Sequence, residues 1–140
     1  MLDELTIDAI QLAAGRIAAY VLRTPMLVRE VRPGCTLLLK PESLQPIGAF
    51  KVRGAFNMML SLGPDCPGVV AHSSGNHAQA VARAAKVLGI AATVVMPSDA
   101  PALKRRRTEA DGATVVTVGP DSEERKQMAA KLAAEAGLVE

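Results

Sequence analysis

The sequence predicts an α/β fold of three layers, in which helices cover both faces of a mainly parallel, open β-sheet. Between residues 69 and 136, short valine-rich runs alternate with longer alanine-rich segments, an alternation typical of β-α-β units. The valine-rich runs are almost continuously apolar, as expected of strands that are buried on both faces. Both observations favour a parallel sheet over an antiparallel one.

The first fifty residues are predicted to form a helix and then a strand. Thr6 or Asp8 is a candidate N-cap for a helix whose apolar residues follow helical spacing as far as Val21. This helix must end before Pro25, because proline disfavours α geometry in the residue that precedes it. After a Pro-Gly turn, the apolar run 35–39 is predicted to be a buried strand.

The rest of the chain is predicted to form one helix and three strand-helix pairs. The helix begins at Lys51, carries apolar residues at steps of three and four, and ends before the Gly63-Pro64 pair. The pairs are predicted as strand 69–72 with helix 76–88, strand 92–96 with helix 100–110, and strand 114–118 with helix 122–136. Residues 137–140 fall where this pattern predicts a further strand.

Composition excludes several classes of partner. The chain has 140 residues, a net charge of +2 and only one tyrosine and two phenylalanines, so it offers little for nucleic acid to bind or stack on. No apolar run approaches the roughly 20 residues that cross a bilayer. The acidic start, Met1 to Glu4, lacks the basic and apolar regions of a signal peptide. We therefore expect a cytoplasmic protein that contacts neither nucleic acid nor membrane.

No metal site is predicted. Cys35 and Cys66 have neither the C-x-x-C spacing nor histidines at ligand spacing, so we interpret both as small buried residues. His72 ends an apolar run and is interpreted as a hydrogen-bonded core histidine.

Lys51 stands among small residues, Gly48, Ala49 and Gly54, at the start of a predicted helix. A lysine at pH 7 is protonated and a weak nucleophile unless its surroundings favour the neutral amine, and the positive end of a helix dipole opposes its charge. Small neighbours leave room for a large group at the amine. Lys51 is therefore a candidate for covalent attachment of a carbonyl compound, the alternative being an ordinary lysine on a solvated helix face.

The stretch from Ser73 to His77 is a candidate anion site. It ends one predicted strand and opens the next helix, where hydroxyls and free backbone N–H groups favour a carboxylate or phosphate. An ordinary N-cap by Ser74 or Asn76 is the alternative, and spacing alone leaves both open. A serine hydrolase is disfavoured, because the G-x-S-x-G elbow is absent.

Nucleotide sites are also disfavoured. No G-x-G-x-x-G follows a predicted strand and no P-loop motif occurs. The one run of charge, residues 104–107, is interpreted as a solvated helix face, with attraction of an anionic ligand as the minor alternative.

Four stretches together resemble a known family. They are KPE at 40–42, QPIGAFKVRGA at 45–55, SSGNHAQA at 73–80 and VMP at 95–97. In this order and spacing they are similar to the fold-type II enzymes that depend on pyridoxal phosphate, and within them to the threonine/serine dehydratase and serine racemase family. The resemblance runs from about residue 23 to the last residue.

The resemblance implies a division of the chain. Residues 51–140 correspond to the small α/β domain of this architecture, apparently truncated, and residues 1–50 to an initial segment of the large domain. The family's glycine-rich loop for the cofactor phosphate comes later, and the glycines after Gly75 are scattered. The expectation is the N-terminal part of a homo-oligomeric enzyme, inactive as an isolated chain.

The resemblance also implies pyridoxal phosphate as cofactor and a small amino acid as substrate. Lys51 would form the Schiff base with the cofactor aldehyde and then move a proton at Cα, Phe50 would pack beside the cofactor ring, and Asn76 would hydrogen-bond the ring hydroxyl. Ser74 would be a second proton donor, as in the racemases. The substrate carboxylate would be held by Ser73, Ser74, Gly75, Asn76 and His77.

Three functions remain open at this point. The implied reaction is β-elimination from L-threonine or L-serine to a 2-oxo acid and ammonia, or else racemisation by a member of the same family. The second reading is a non-catalytic α/β domain that keeps the fold. The third is an unrelated α/β nucleotide-binding module, against which the Lys51 stretch argues.

Overall fold

A computed structural model describes residues 5–140 and confirms the α/β fold, with a parallel sheet and covering helices. Met1 to Glu4, on which part of the predicted cytoplasmic location depends, lie outside the described residues. The elements are α1 Ile7–Ile17, β1 Leu27–Arg32, β2 Cys35–Leu39, a 3₁₀ turn Glu42–Leu44, α2 Lys51–Met59, β3 Val69–His72, α3 Asn76–Leu88, β4 Ala92–Pro97, α4 Ala102–Ala110, β5 Thr114–Val118 and α5 Ser122–Ala136.

The parallel sheet has the strand order β3-β4-β5. Val69 of β3 lies opposite Ala92, and Thr93 of β4 lies opposite Thr114. On the other edge of β3, Val139 forms a parallel bridge with Val69, and its carbonyl accepts a hydrogen bond of 2.8 Å from the Val70 N–H. The further strand predicted after the last helix is therefore present as a single bridge at this edge.

The segment before Lys51 differs from the prediction. The sequence did not predict β1, in which charged residues interrupt the apolar run, yet β1 pairs with β2 in an antiparallel hairpin. Strand β2 was expected to be buried, but Leu37, Leu38 and Leu39 are all exposed. That expectation is wrong because the strand pairs in a separate two-stranded sheet that is exposed on both faces.

Helix α1 is shorter than predicted. Thr6 is its N-cap, as one of the two predicted candidates, and its hydroxyl oxygen accepts a hydrogen bond from the Ala9 N–H. The helix ends at Ile17 rather than near Val21. After Ile17 the chain forms a tighter turn, in which the Tyr20 N–H donates to the Ile17 carbonyl. Apolar spacing continues past this point, so it could not reveal the end.

The core lies between α2, α3 and the parallel sheet. Its largest fully enclosed side chains include Phe56 of α2 and Met96 and Val94 of β4. Five of the seven buried residues of α3 are alanines, so this helix can approach the sheet closely. This packing brings the starts of α2 and α3 to the end of the sheet where β3 stops. Cys35 and Cys66 are half-buried rather than buried.

None of the helices within residues 5–140 is long and apolar enough to cross a membrane.

Candidate active site

Lys51 is the first residue of α2, as predicted, and its side chain is exposed. Before it the chain turns at Gly48, whose φ of 73° favours glycine and whose N–H donates to the Gln45 carbonyl at 2.7 Å. The Lys51 ammonium lies 5.4 Å from the centre of the Phe50 ring, which is 58% exposed. A flat group at the amine could therefore lie against an aromatic face.

The turn from Ser73 to His77 joins the end of β3 to α3. The Ser73 N–H donates to the Val95 carbonyl at 3.0 Å, and the Ser73 hydroxyl accepts from the Gly75 N–H at 3.2 Å. Gly75 is the N-cap of α3, and no side chain caps the helix, so an ordinary N-cap by Ser74 or Asn76 is not what forms. The first N–H groups of α3 have no intrahelical acceptor and can donate to an anion.

His77 lies in the first turn of α3, and its pKa is shifted by its surroundings. Desolvation lowers the pKa of His77 from its ordinary value, and the positive charges of Lys51 and His72 lower it further. Gly54 and Ala55 of α2 line one cavity with His77 of α3, so the starts of the two helices lie side by side. At neutral pH the lowered pKa keeps His77 uncharged, so that it can donate or accept a hydrogen bond without adding a positive charge.

The side chain of Asn76 is bound by a residue of α4. The Lys104 ammonium, in the first turn of α4, donates to the carboxamide oxygen of Asn76. Because that oxygen is engaged, the NH₂ group of Asn76 is the part left to donate to a ligand. The sequence analysis missed this contact, and the one signal for it was the position of Lys104 at the start of the helix that follows β4.

The predicted solvated face at residues 104–107 is only partly present. Arg105 donates to the Pro97 carbonyl at 2.9 Å and to the Thr117 hydroxyl at 2.6 Å, which ties α4 to the ends of β4 and β5. Arg106 and Arg107 are exposed, as predicted.

His72 is half-buried, and its Nε2 lies 3.9 Å from Oε1 of Glu140 rather than within a hydrogen-bonded core. Within residues 5–140, no group of three or more histidine, cysteine, aspartate or glutamate side chains is placed to hold a metal ion.

A polar cluster that the sequence did not reveal joins the 3₁₀ turn to α2 across residues 45–50, which we call the Lys51 loop. Both oxygens of Glu42 accept hydrogen bonds of 2.8 Å from the Arg53 guanidinium. Oε1 of Glu42 also accepts from the Thr24 hydroxyl at 2.6 Å. Gln45, only 3% exposed, donates to Oε2 of Glu42 at 3.3 Å.

This cluster predicts a specific loss of stability in acid. Hydrogen bonds from Arg53 lower the pKa of Glu42 from 4.5 to about 2, and those from Thr24 and Gln45 add to the effect. Because the pKa is lower in the folded chain, the pairing stabilises the fold above the unfolded pKa and loses this contribution as the pH falls towards 2. Allowing for solvent screening, we expect about 1 to 2 kcal/mol.

The measurement is the free energy of unfolding in urea for the wild type and for Glu42→Gln, between about pH 6 and pH 2.5. The difference between the two proteins should shrink as the pH falls below the ordinary pKa of glutamate. A difference that is constant over this range would contradict the assigned role of the Glu42 carboxylate.

The residues present fit several parts of pyridoxal phosphate, which the resemblance implies. The Lys51 amine suits the aldehyde, the exposed face of Phe50 suits the ring, and the NH₂ group of Asn76 suits the ring hydroxyl. The uncapped start of α3 suits a substrate carboxylate. Within residues 5–140 the glycines after Gly75 are too scattered to form a cradle for the cofactor phosphate.

Comparison with known proteins agrees with this fit. Residues 17–139 match the family model described as "Pyridoxal-phosphate dependent enzyme". L-threo-3-hydroxyaspartate ammonia-lyase of Saccharomyces cerevisiae is 45% identical over 91% of this chain and 40% of that enzyme. The biosynthetic, chloroplastic threonine dehydratase of Arabidopsis thaliana is 48% identical over 74% of this chain and 18% of its own length.

A solved structure, that of maize serine racemase, superimposes with a TM-score of 0.89 at 41% identity, over 95% of this chain and 42% of that chain. The chain therefore spans about two fifths of the length of the yeast and maize proteins.

Proposed function

The chain belongs to the family of pyridoxal-phosphate-dependent enzymes, and from this premise we propose that it is the N-terminal part of an ammonia-lyase that converts L-threonine or L-serine to a 2-oxo acid and ammonia. The fold-type II resemblance predicted from the sequence is confirmed, and relatives include proteins named as dehydratases, racemases and ammonia-lyases. One observation carries the proposal: the start of α2, to which Lys51 belongs, lies beside the uncapped start of α3, where Gly54 and His77 line one cavity.

The cofactor supplies electron withdrawal from the substrate Cα, which stabilises the negative charge that forms when a proton leaves. In our proposal Lys51 is its point of attachment, Phe50 lies against its ring and Asn76 donates to its ring hydroxyl. Lys104 keeps Asn76 in the orientation that leaves its NH₂ free, because the ammonium occupies the amide oxygen.

The remaining steps belong to side chains and backbone groups of this chain. The Lys51 amine removes the proton from Cα as a general base. The turn Ser73–His77 binds the substrate carboxylate through hydroxyls and N–H groups that are already oriented before the reaction. A neutral His77 serves this turn as a hydrogen-bonding group.

A serine racemase is the second candidate, and the exposed Ser74 favours it. Its hydroxyl is exposed on the same turn as the carboxylate donors. The resemblance to the racemases implies that this hydroxyl returns a proton to Cα on the face opposite Lys51. The close superposition with maize serine racemase supports this alternative. A non-catalytic domain that keeps the fold is the third, and it would leave Lys51 without a partner.

The division into residues 1–50 and 51–140 stays a prediction, as do a homo-oligomeric full-length enzyme and a cytoplasmic location. The exposed hairpin of β1 and β2, which lies outside the parallel sheet, supports the division. Because the phosphate cradle is not among residues 5–140, we expect weak cofactor binding and no ammonia release from threonine by this chain alone. Robust release would contradict that expectation.

The proposal is tested by trapping the cofactor on the chain. Pyridoxal phosphate is added, the mixture is reduced with borohydride, and the modified lysine is identified by peptide mapping. We expect the pyridoxyl group on Lys51, and we expect L-threonine or L-serine added before reduction to lower this labelling, because the substrate amine competes for the aldehyde. Equal labelling of all lysines would contradict the proposal.

A further inference from the structure

We propose that Glu42 and Arg53 form a positioning clamp, which holds the start of α2, and with it Lys51, beside the start of α3. This inference rests on the proposed role of Lys51 as the attachment point. Neither member of the clamp touches the Lys51 amine, so both are positioning residues that act through the backbone of α2.

The clamp has a defined geometry. Nε of Arg53 donates to Oε2 of Glu42 and Nη2 donates to Oε1, each at 2.8 Å, so the guanidinium and carboxylate form a two-pronged pair. A pair of this kind fixes orientation as well as distance. Arg53 lies in the first turn of α2, two residues after Lys51, so fixing Arg53 fixes the helix start that carries the amine.

Other groups anchor the clamp to the segment that follows α1. Nη2 of Arg53 also donates to the Leu22 carbonyl at 2.9 Å. Gln45 pairs with both backbone groups of Leu22, donating to its carbonyl at 2.8 Å and accepting from its N–H at 3.1 Å. The buried Thr24 accepts from the Lys40 ammonium at 2.8 Å while donating to Glu42. In such a network the hydrogen bonds strengthen one another, so the loss of one member weakens the others.

The clamp closes a loop that is otherwise held by the Gln45–Leu22 hydrogen bonds and by the packing of Ile47 and Ala49. Between Glu42 and Arg53 the backbone hydrogen bonds of the loop are local, such as Gly48 N–H to Gln45 carbonyl and Arg53 N–H to Phe50 carbonyl. Gly48 adds a turn at a φ of 73°, and glycine has more backbone freedom than any other residue. A displacement of about 1 Å at a reacting group can cost about 100-fold in rate, so loosening the loop should matter at Lys51.

The test compares the wild type with Glu42→Gln, which keeps the size of the side chain and removes its charge. Hydrogen-deuterium exchange is measured for peptides covering residues 45–53 and for peptides from α3 and β4. We expect exchange over residues 45–53 to rise by about ten-fold or more, with little change in α3 and β4. Glu135→Gln is the matched control, because Glu135 forms only an exposed pair with Lys131 at 3.8 Å.

A second readout separates positioning from stability. In the same proteins the fraction of borohydride-trapped label on Lys51, relative to all lysines, should fall several-fold in Glu42→Gln and stay unchanged in Glu135→Gln. Faster exchange over residues 45–53 with an unchanged fraction of label on Lys51 would show that the clamp stabilises the loop without positioning Lys51, and would overturn its positioning role. Unchanged exchange over residues 45–53 would overturn the clamp itself.

Two further outcomes are distinguishable. If Glu42→Gln unfolds as a whole, Arg53→Lys replaces it, since an ammonium keeps the charge but cannot make both bonds to Glu42 and the bond to Leu22. We expect that variant to show the same local increase in exchange, and wild-type behaviour would overturn the clamp. If the wild type is not labelled at Lys51, the proposed function fails, while the exchange experiment still decides whether the clamp exists.

Discussion

Replacing Lys51 by alanine is expected to abolish borohydride-trapped labelling at this site while leaving the fold intact. Within the described part of the chain, Lys51 is the lysine that opens α2, and its amine lies over the Phe50 ring. The substitution is at an exposed helix position where alanine is well tolerated, so we expect the free energy of unfolding to change by no more than about 0.5 kcal/mol. Mass spectrometry of the reduced protein and far-UV circular dichroism measure the two effects.

Lys131→Ala is the matched control for this experiment. Lys131 is a largely exposed lysine on α5, and its one ion pair, with Glu135, lies on the surface. This variant should keep the label on Lys51. If Lys51→Ala instead carried as much label as the wild type, and carried it on one other lysine, Lys51 would not be the attachment point.

Replacing Phe56 by alanine is expected to destabilise the chain by about 3 to 5 kcal/mol. Phe56 is 2% exposed, lies in the core under α2, and stacks on Tyr20 with ring centres 4.9 Å apart. The loss combines the apolar area, the cavity and the stacking of the two rings. Because the whole free energy of unfolding of a domain is about 5 to 15 kcal/mol, the variant should be close to unfolding.

The effect of Phe56→Ala is read from the midpoint of urea unfolding. Met58→Ala on the same helix is the control, since Met58 is 47% exposed and its truncation should cost far less. Equal midpoints for the two variants would show that the core does not lie where α2 meets α3 and the sheet. Lys51 labelling should fall with the folded fraction in Phe56→Ala, because the start of α2 depends on this packing.

The regular part of the fold could be predicted because its signals are local. Strand β5 and helices α3 and α5 begin and end where predicted, since apolar runs mark the strand, and Gly89 and Gly137 end the helices in the left-handed conformation. Strand β1 could not be predicted in the same way. Charged residues interrupt its apolar residues. It pairs in a hairpin outside the parallel sheet and is exposed on both faces, so its sequence has no alternation of buried and exposed residues.

The candidate site also combines residues that the sequence could predict with contacts that it could not. Lys51 and the turn Ser73–His77 each have a local signature, a lysine among small residues and a cluster of donors at a helix start. The contacts that position them depend on tertiary structure. Lys104 reaches Asn76 from a helix 28 residues further along the chain, and Arg53 pairs with Glu42 across the Lys51 loop. Spacing in the sequence carries no information about such pairs.

The most direct test of a shared site is a crystal structure of the chain after reduction with pyridoxal phosphate. We expect the pyridoxyl group bonded to Nζ of Lys51, its ring against Phe50, and its ring hydroxyl within hydrogen-bond distance of the Asn76 NH₂ group. A group bonded to another lysine, or bonded to Lys51 with its ring directed away from the start of α3, would contradict a site made jointly by α2 and α3.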